Sequence, residues 1–239
     1  MVEGSVTKAV EGEGRVAVGF SGGLDSSILV RCASRRVDVV ACAAYSEGST
    51  DSKRVKGAAE ALGVDLVATE LTREVAGSAL GSLQLPFEPT LMDRSLWCLY
   101  HVVSESAKNS GARVILLGQL ADELFGGYAK YSEALGSEGE RAARQMMESD
   151  VQDYGLRGRV RDLAACSAWA TPRFPYQAEE LVEYASLLPV DFKIREGVRK
   201  AVLRRAAVEL GVPESLAGAP KKAAQYSSGV QKLVAALPF

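Results

Sequence analysis

Between residues 15 and 118, short continuous apolar runs alternate with segments of helical periodicity, and this alternation restricts the fold more than any other feature. RVAVGF (15–20), VDVVACAAY (37–45), VDLVATEL (64–71) and ARVILLG (112–118) have strand length and lack polar alternation. Strands buried on both faces read this way. LDSSILVRCASRR (24–36) carries Ile28, Leu29, Cys32 and Ala33 at helical spacing. DSKRVKGAAEALG (51–63) predicts a helix with Asp51 as N-cap, Val55, Ala58, Ala59 and Leu62 facing inward, and Gly63 as its stop. Further helices are expected over 5–11, 72–83, 92–111 and 121–125, with a proline-punctuated loop at 83–90. Successive parallel strands need crossover helices. The expected fold is therefore α/β, a doubly wound parallel sheet covered on both faces. The 112–118 run is the most hydrophobic and is expected near the centre.

Past residue 130 this rhythm stops. Helices are expected over 138–150, 157–169, 178–187 and 195–210, and ATPRFPY (170–176) reads as a rigid loop or edge strand. The chain is thus expected to be one domain, with an α/β core at 1–130 and a mostly helical acceptor-side extension at 131–239. In 195–210 the spacing sets Val198, Val202, Ala206 and Leu210 on one side. Arg199, Lys200, Arg204 and Arg205 fall on the other, expected as a solvated face.

Composition narrows the function classes. The 239 residues carry a net charge of −2, so a protein that coats nucleic acid is disfavoured. No apolar run approaches membrane-spanning length, and the polar N-terminal stretch is unlike a signal peptide. Four cysteines (32, 42, 98, 166) form no C-x-x-C pair, which argues against a thiolate metal site and for buried, reduced thiols in a cytoplasmic protein. His101 is the only histidine; a Ser-His-Asp hydrolase is unattractive and a packed helix residue is expected.

GFSGGLDSSI (19–28) puts two glycines, an acid and serines at the turn from the first strand into a helix. In parallel sheets, ligands sit beyond the carboxyl ends of the strands. Gly22 and Gly23 permit close backbone approach, the helix start near Leu24 offers free N–H groups, and Ser21, Ser26 and Ser27 add hydroxyls. All favour a phosphate, although the lysine-containing P-loop pattern is absent. Asp25 favours one only with a cation between them, and Mg²⁺ is commonly held by a carboxylate and phosphate oxygens together. Asp122 stands five residues beyond Leu117, as Asp25 stands five beyond Phe20. If those strands are neighbours, both carboxylates reach one crevice. The alternative for Asp122 is helix capping and charge–dipole stabilisation.

SGGLDSS (21–27) resembles the pyrophosphate-binding signature of the N-type ATP pyrophosphatases. LLGQLADELFGGY (116–128), with its DELFGGY core at 122–128, resembles the second block of the synthetase domain of asparagine synthetases and β-lactam synthetases. RFPY (173–176) and KKAAQYSSG (221–229) resemble two later blocks, in the same order. The resemblance implies an adenine nucleotide alpha hydrolase-like core with ATP and Mg²⁺ as cofactors. It implies a ligase in which a carboxylate attacks the α-phosphorus of ATP, and ammonia or an amine then takes the acyl group and releases AMP. Asp25 and Asp122 carry over as Mg²⁺-pyrophosphate ligands. Ser21, Gly22, Gly23, Leu24 and Ser26 carry over as the pyrophosphate loop, and main-chain groups near Phe20, Ala44 and Gly118 as the adenosine site. Lys221, or its neighbour Lys222, carries over as the cation offsetting charge on the α-phosphate.

The acceptor half departs from that pattern. Gln119 stands where asparagine synthetases have a glutamate, and a neutral amide is no general base. Leu120 replaces a glycine, and Thr171 and Ala178 stand where acids are usual. Gln119, Glu123, Tyr128, Thr171 and Arg173 are the expected acceptor pocket, and aspartate as substrate is in question. Residue 2 is valine, and no glutaminase domain with an N-terminal cysteine is seen. The expected partners are a small carboxylate and either free ammonia, another amine, or a separate glutaminase subunit; a homodimer is a further expectation. Two rival readings keep the ATP site: adenylation of another acceptor, such as a tRNA base or sulfur donor, and a regulatory nucleotide-binding module without chemistry.

Overall fold

The computed structural model describes residues 1–219 and 224–237. Five parallel strands form one sheet: β1 (Arg15–Gly19), β2 (Asp38–Tyr45), β3 (Asp65–Glu70), β4 (Val114–Leu116) and β5 (Thr171–Arg173). Their spatial order is β3-β2-β1-β4-β5. The sheet is doubly wound as expected, but β1 takes the central place and β4 lies beside it, pairing Ala17 with Ile115 and Val18 with Leu116. The 170–176 stretch supplies the edge strand β5.

Adjacent residues on each strand enter opposite cores, as strand periodicity demands. Val16, Val18, Val39, Ala41, Ala43, Val114 and Leu116 point into one core. That core is closed by α1 (Val2–Val10), α2 (Leu24–Ala33) and α3 (Thr50–Leu62). Ala17, Val40, Cys42, Ala44, Ile115 and Leu117 point into the other, under α4 (Arg73–Gly81) and α5 (Leu91–Asn109). A carboxylate capping box starts α5: the Thr90 hydroxyl accepts from Asp93 N, and Asp93 accepts from Thr90 N. For α3, Gly63 ends the helix in the left-handed conformation as expected, but Ser49 takes the N-cap position and Asp51 lies buried in the first turn.

After β4 come α6 (Ala121–Phe125), α7 (Ala129–Ser137) and α8 (Glu140–Asp153), a π-helical turn at Tyr154–Gly158, then α9 (Arg159–Ser167). The two helices expected over 138–169 are therefore joined end to end through that turn. Next are α10 (Glu179–Leu187) and α11 (Val190–Lys193), then a two-residue hairpin of β6 (Ile194–Arg195) and β7 (Val198–Arg199). Then follow α12 (Ala201–Glu209), α13 (Glu214–Ala217), α14 (Ala224–Ser227) and α15 (Val230–Ala235). The hairpin corrects the helix expected over 195–210. Glu196 and Gly197 turn at positive φ, and Lys200 itself adopts the left-handed conformation ahead of α12. The face assignment falls with it. Leu203 and Ala207 are buried, Val198 is exposed, and Lys200 is 1% exposed.

Two consequences concern side chains away from the site. All four cysteines are free and buried; burial pushes the Cys32 thiol up to about 11 and those of Cys42 and Cys98 up to about 12. A thiol reagent at pH 8 should find no reactive group in the native protein and four after unfolding. His101 is packed, as expected. Its Nε2 accepts from Trp169 Nε1 at 2.9 Å, so that nitrogen carries no proton. Burial lowers its pKa, against the opposing charge of Glu105. A depressed pKa means the stabilisation is whole above the unfolded value, near 6.5, and is lost as pH falls through the folded one. Thermal melts should weaken as pH falls below about 6.5, and His101→Gln should remove that step. A step that survives the substitution would refute this account.

Among the described residues, no helix is long and apolar enough to cross a membrane.

Candidate active site

The carboxyl ends of β1 and β4 open onto a cavity of about 600 Å³. The turn after β1 is shaped by packing. Gly22 has φ +64, and a Cβ there would press on Ala58 and on the α3 backbone at 3.2–3.3 Å. Gly23 caps α2, and its carbonyl accepts from Ser26 Oγ at 3.2 Å. Arg54 of α3 reaches back to the Ser21 carbonyl through Nε at 3.1 Å and NH2 at 2.5 Å. Phe20, Ser21, Asp25 and Ser26 line the cavity, whereas Gly22, Gly23 and Leu24 build the turn behind it. Ala44 at the end of β2 and Gly118 after β4 also line the cavity. Gly118 lies against Asp25, where a Cβ would meet the aspartate at 3.3 Å.

After β4, Leu120 takes the left-handed conformation (φ 79) at the start of α6. The replaced glycine's type of backbone is thus present with a leucine in it, at a cost of roughly 1–2 kcal/mol. The side chain is 6% exposed in the core, which holds the turn in place. α6 then presents Asp122 and Glu123 to the cavity.

Asp25 and Asp122 converge as the five-residue offsets predicted, and the group between them is Lys200. Its Nζ lies 2.6 Å from both Asp25 oxygens and 2.8 Å from Asp122 Oδ1. Burial works to lower the lysine's pKa, but Asp122 and Asp25 overcome it and raise it. Gly127 must be glycine here, because a Cβ would fall on the Asp122 carboxylate and the Lys200 stem. Sequence reasoning missed Lys200; Gly197, inside the supposed helix, was the signal that the periodicity breaks before it. Lys221 and Lys222 lie outside the described residues.

A second set of partners, also missed, forms the far wall. The π turn places Tyr154 and Arg157 on the cavity, and such turns recur at functional sites. Arg157 and Arg161 both bind Asp93, at 2.9 and 3.1 Å. Against burial, which raises it, hydrogen bonds from Thr90, Arg157 and Arg161 hold the Asp93 carboxyl below its ordinary pKa. Gln119 donates from Nε2 to Asp162 Oδ2 at 2.7 Å. Tyr128 donates to Glu123 at 2.8 Å. Burial and then the Asp122 charge push the Glu123 carboxyl up, against the Tyr128 hydrogen bond. Asp51 lines the cavity and meets Arg54 at 3.2 Å and the Ser227 hydroxyl at 2.8 Å.

The structure does not bring Thr171 and Arg173 to this cavity. Thr171 is exposed and faces a separate surface depression with Trp169. Arg173 donates to the Ala9 carbonyl at 2.6 Å and to Glu13 at 2.7 Å, fastening α1 to the sheet edge. Gln119, Glu123 and Tyr128 are the expected acceptor residues that do line it.

Among the described residues, no cluster of three or more His, Cys, Asp and Glu side chains is arranged to hold a metal alone. The cation on which Asp25 and Asp122 converge is the Lys200 ammonium; two carboxylates facing one crevice would suit a metal only if it brought further oxygen ligands with it.

A Methanocaldococcus jannaschii protein provisionally named a glutamine-hydrolyzing asparagine synthetase is 29% identical over 270 residues, covering 98% of this chain and 49% of that protein. Mouse asparagine synthetase domain-containing protein 1 is 33% identical over 60% of this chain and 26% of its own length. The chain thus spans half or less of these curated relatives. A solved NMN synthetase from Francisella tularensis superposes with a TM-score of 0.49 at 12% identity, covering 98% of this chain and 84% of that one. The asparagine synthase family model matches residues 1–171 and 135–237, and on that coverage the chain belongs to the asparagine synthase family.

Proposed function

We propose that the protein is an ATP-dependent, AMP- and pyrophosphate-forming ligase that adenylates a carboxylate and passes the acyl group to ammonia or an amine. The observation that carries this reading is the pair Asp25 and Asp122, delivered by two neighbouring strands onto one cation. Beside them lie the Ser21 and Ser26 hydroxyls and the start of α2, which suit phosphate oxygens. Phe20, Ala44, Leu117 and Gly118 line the same cavity and suit a nucleoside. Asp25 and Asp122 would hold Mg²⁺, which would neutralise charge on the departing pyrophosphate.

In the first step, a carboxylate oxygen bonds to the α-phosphorus as the α–β bridge breaks and pyrophosphate leaves. In the second, the amine nitrogen bonds to the acyl carbon, the bond from that carbon to the phosphate oxygen breaks, and AMP leaves with the oxygen. The nitrogen sheds its extra proton to solvent. Lys200, clamped between Asp25 and Asp122, holds the two carboxylates together at the phosphate end of the cavity.

The test is ATP–pyrophosphate exchange with magnesium and a panel of carboxylates, without amine. Exchange with a carboxylate is expected, followed by AMP once ammonia is added. Release of ADP and phosphate, or no exchange with any carboxylate, would overturn the reading.

A further inference from the structure

The cavity lining changes character away from the phosphate and nucleoside positions. The part left for an acyl group comes from α5 and from the π turn with its neighbours. From α5 come Met92, Leu96, Leu99 and Val103, spaced to lie on one face of the helix. Leu99 and Val103 are buried, whereas Met92 and Leu96 are half-buried and keep open surface toward the cavity. Neither side chain carries an N–H or O–H, so whichever of its atoms faces inward is apolar.

The cations of this lining are already engaged. Arg157 NH2 lies 2.9 Å and Arg161 NH1 3.1 Å from the buried Asp93 carboxylate. Arg161 also meets buried Asp162 through Nε and NH2, both at 2.8 Å. Arg157 donates to the Glu88 carbonyl at 2.6 Å and lies over the Phe87 ring, 4.1 Å from its centre. Lys130 is held by Asp150 at 2.6 Å. Drawing either guanidinium toward a substrate would strip a buried aspartate of its partner. Among the described cavity-lining residues, carboxylates outnumber cations, so the field of the site also opposes a further anion.

We propose that the carboxylate substrate is a monoanion with an uncharged apolar tail that lies along Met92 and Leu96, and that acids carrying a second carboxylate are rejected. This rests on the ligase reading above and names its substrate class. A dicarboxylate would bring its second charge into a lining whose described cations are paired. An apolar tail would instead cover the open surface of Met92 and Leu96 and disturb none of those pairs.

The experiment uses the full chain with ATP and magnesium and measures pyrophosphate exchange with acids matched in length: butyrate against succinate and aspartate, and hexanoate against adipate. From propionate to hexanoate, kcat/KM should rise about fourfold for each methylene, the worth of one buried CH2. Each monocarboxylate should exceed its dicarboxylate partner by about tenfold or more. In Leu96→Ala the ratio of hexanoate to propionate should fall about tenfold. A purely structural role for Leu96 would lower both acids alike and leave that ratio unchanged. A flat chain-length series in the parent, a dicarboxylate equal to or faster than its partner, or an unchanged ratio in Leu96→Ala would overturn the proposal while the ligase reading stands. If Leu96→Ala does not fold, the parent's chain-length series and matched pairs decide alone. Absence of exchange with every acid is a different failure, that of the ligase reading itself, and takes this inference with it.

Discussion

Asp25→Asn should lower carboxylate-dependent ATP–pyrophosphate exchange by about 10²–10³-fold, the size seen when one preorganised electrostatic contact to a transition state is removed. The substitution keeps the shape of the side chain and deletes its charge. Asp25 offers both oxygens to the central cation at 2.6 Å, whereas Asp122 offers one at 2.8 Å. The Asp25 side chain is about one-fifth exposed, and Lys200 keeps Asp122 in the variant, so the protein should still unfold cooperatively. Near-parental exchange in a folded variant would refute the assigned role.

Lys200→Met should be the most destabilising single change at the site. It leaves Asp25 and Asp122 facing each other across an apolar stem, and breaking a buried ion pair typically costs about 3–5 kcal/mol. For a chain of this size, that is a fall in Tm of roughly 10 °C. Two like charges facing each other repel, and protonation removes that repulsion, so the gap in Tm between the variant and the parent should narrow on acidification. A gap that stays constant or widens would show that Lys200 acts through packing alone. Exchange activity should fall with stability restored at low temperature, because Asp25 and Asp122 lose the group that holds them together.

The two aspartates were legible because each follows a strand by the same offset, and neighbouring strands β1 and β4 align those offsets in space. The doubly wound sheet was legible for a related reason: continuous apolar runs require cover on both faces, and the two cores divide the alternate residues of β1, β2 and β4. Lys200 was hidden because a helical template fitted the apolar residues of 195–210 while ignoring the turn at Glu196 and Gly197. The charged stripe that template produced looked solvated, yet Arg204 NH1 donates to the carbonyls of Ala217 and Ala219 and Lys200 is buried.

The acceptor wall was hidden by distance along the chain. Gln119 meets a partner 43 residues away, and Arg161 meets Asp93 at a separation of 68. No local period reports such pairings. Arg173 was misplaced because a short motif fixes a strand but not the face on which its side chain emerges. The Gln119 amide completes a hydrogen-bonded network with Asp162, Tyr154 and Arg161, in which a carboxylate at 119 would face Asp162 with one donor fewer.

The most direct test of the central claim follows an oxygen atom. With the active carboxylate labelled in both carboxyl oxygens with ¹⁸O, and with ATP, magnesium and ammonia, the reaction should place one labelled oxygen in AMP and leave pyrophosphate unlabelled. Label in inorganic phosphate with ADP as co-product, or AMP with no label, would contradict attack of the carboxylate on the α-phosphorus.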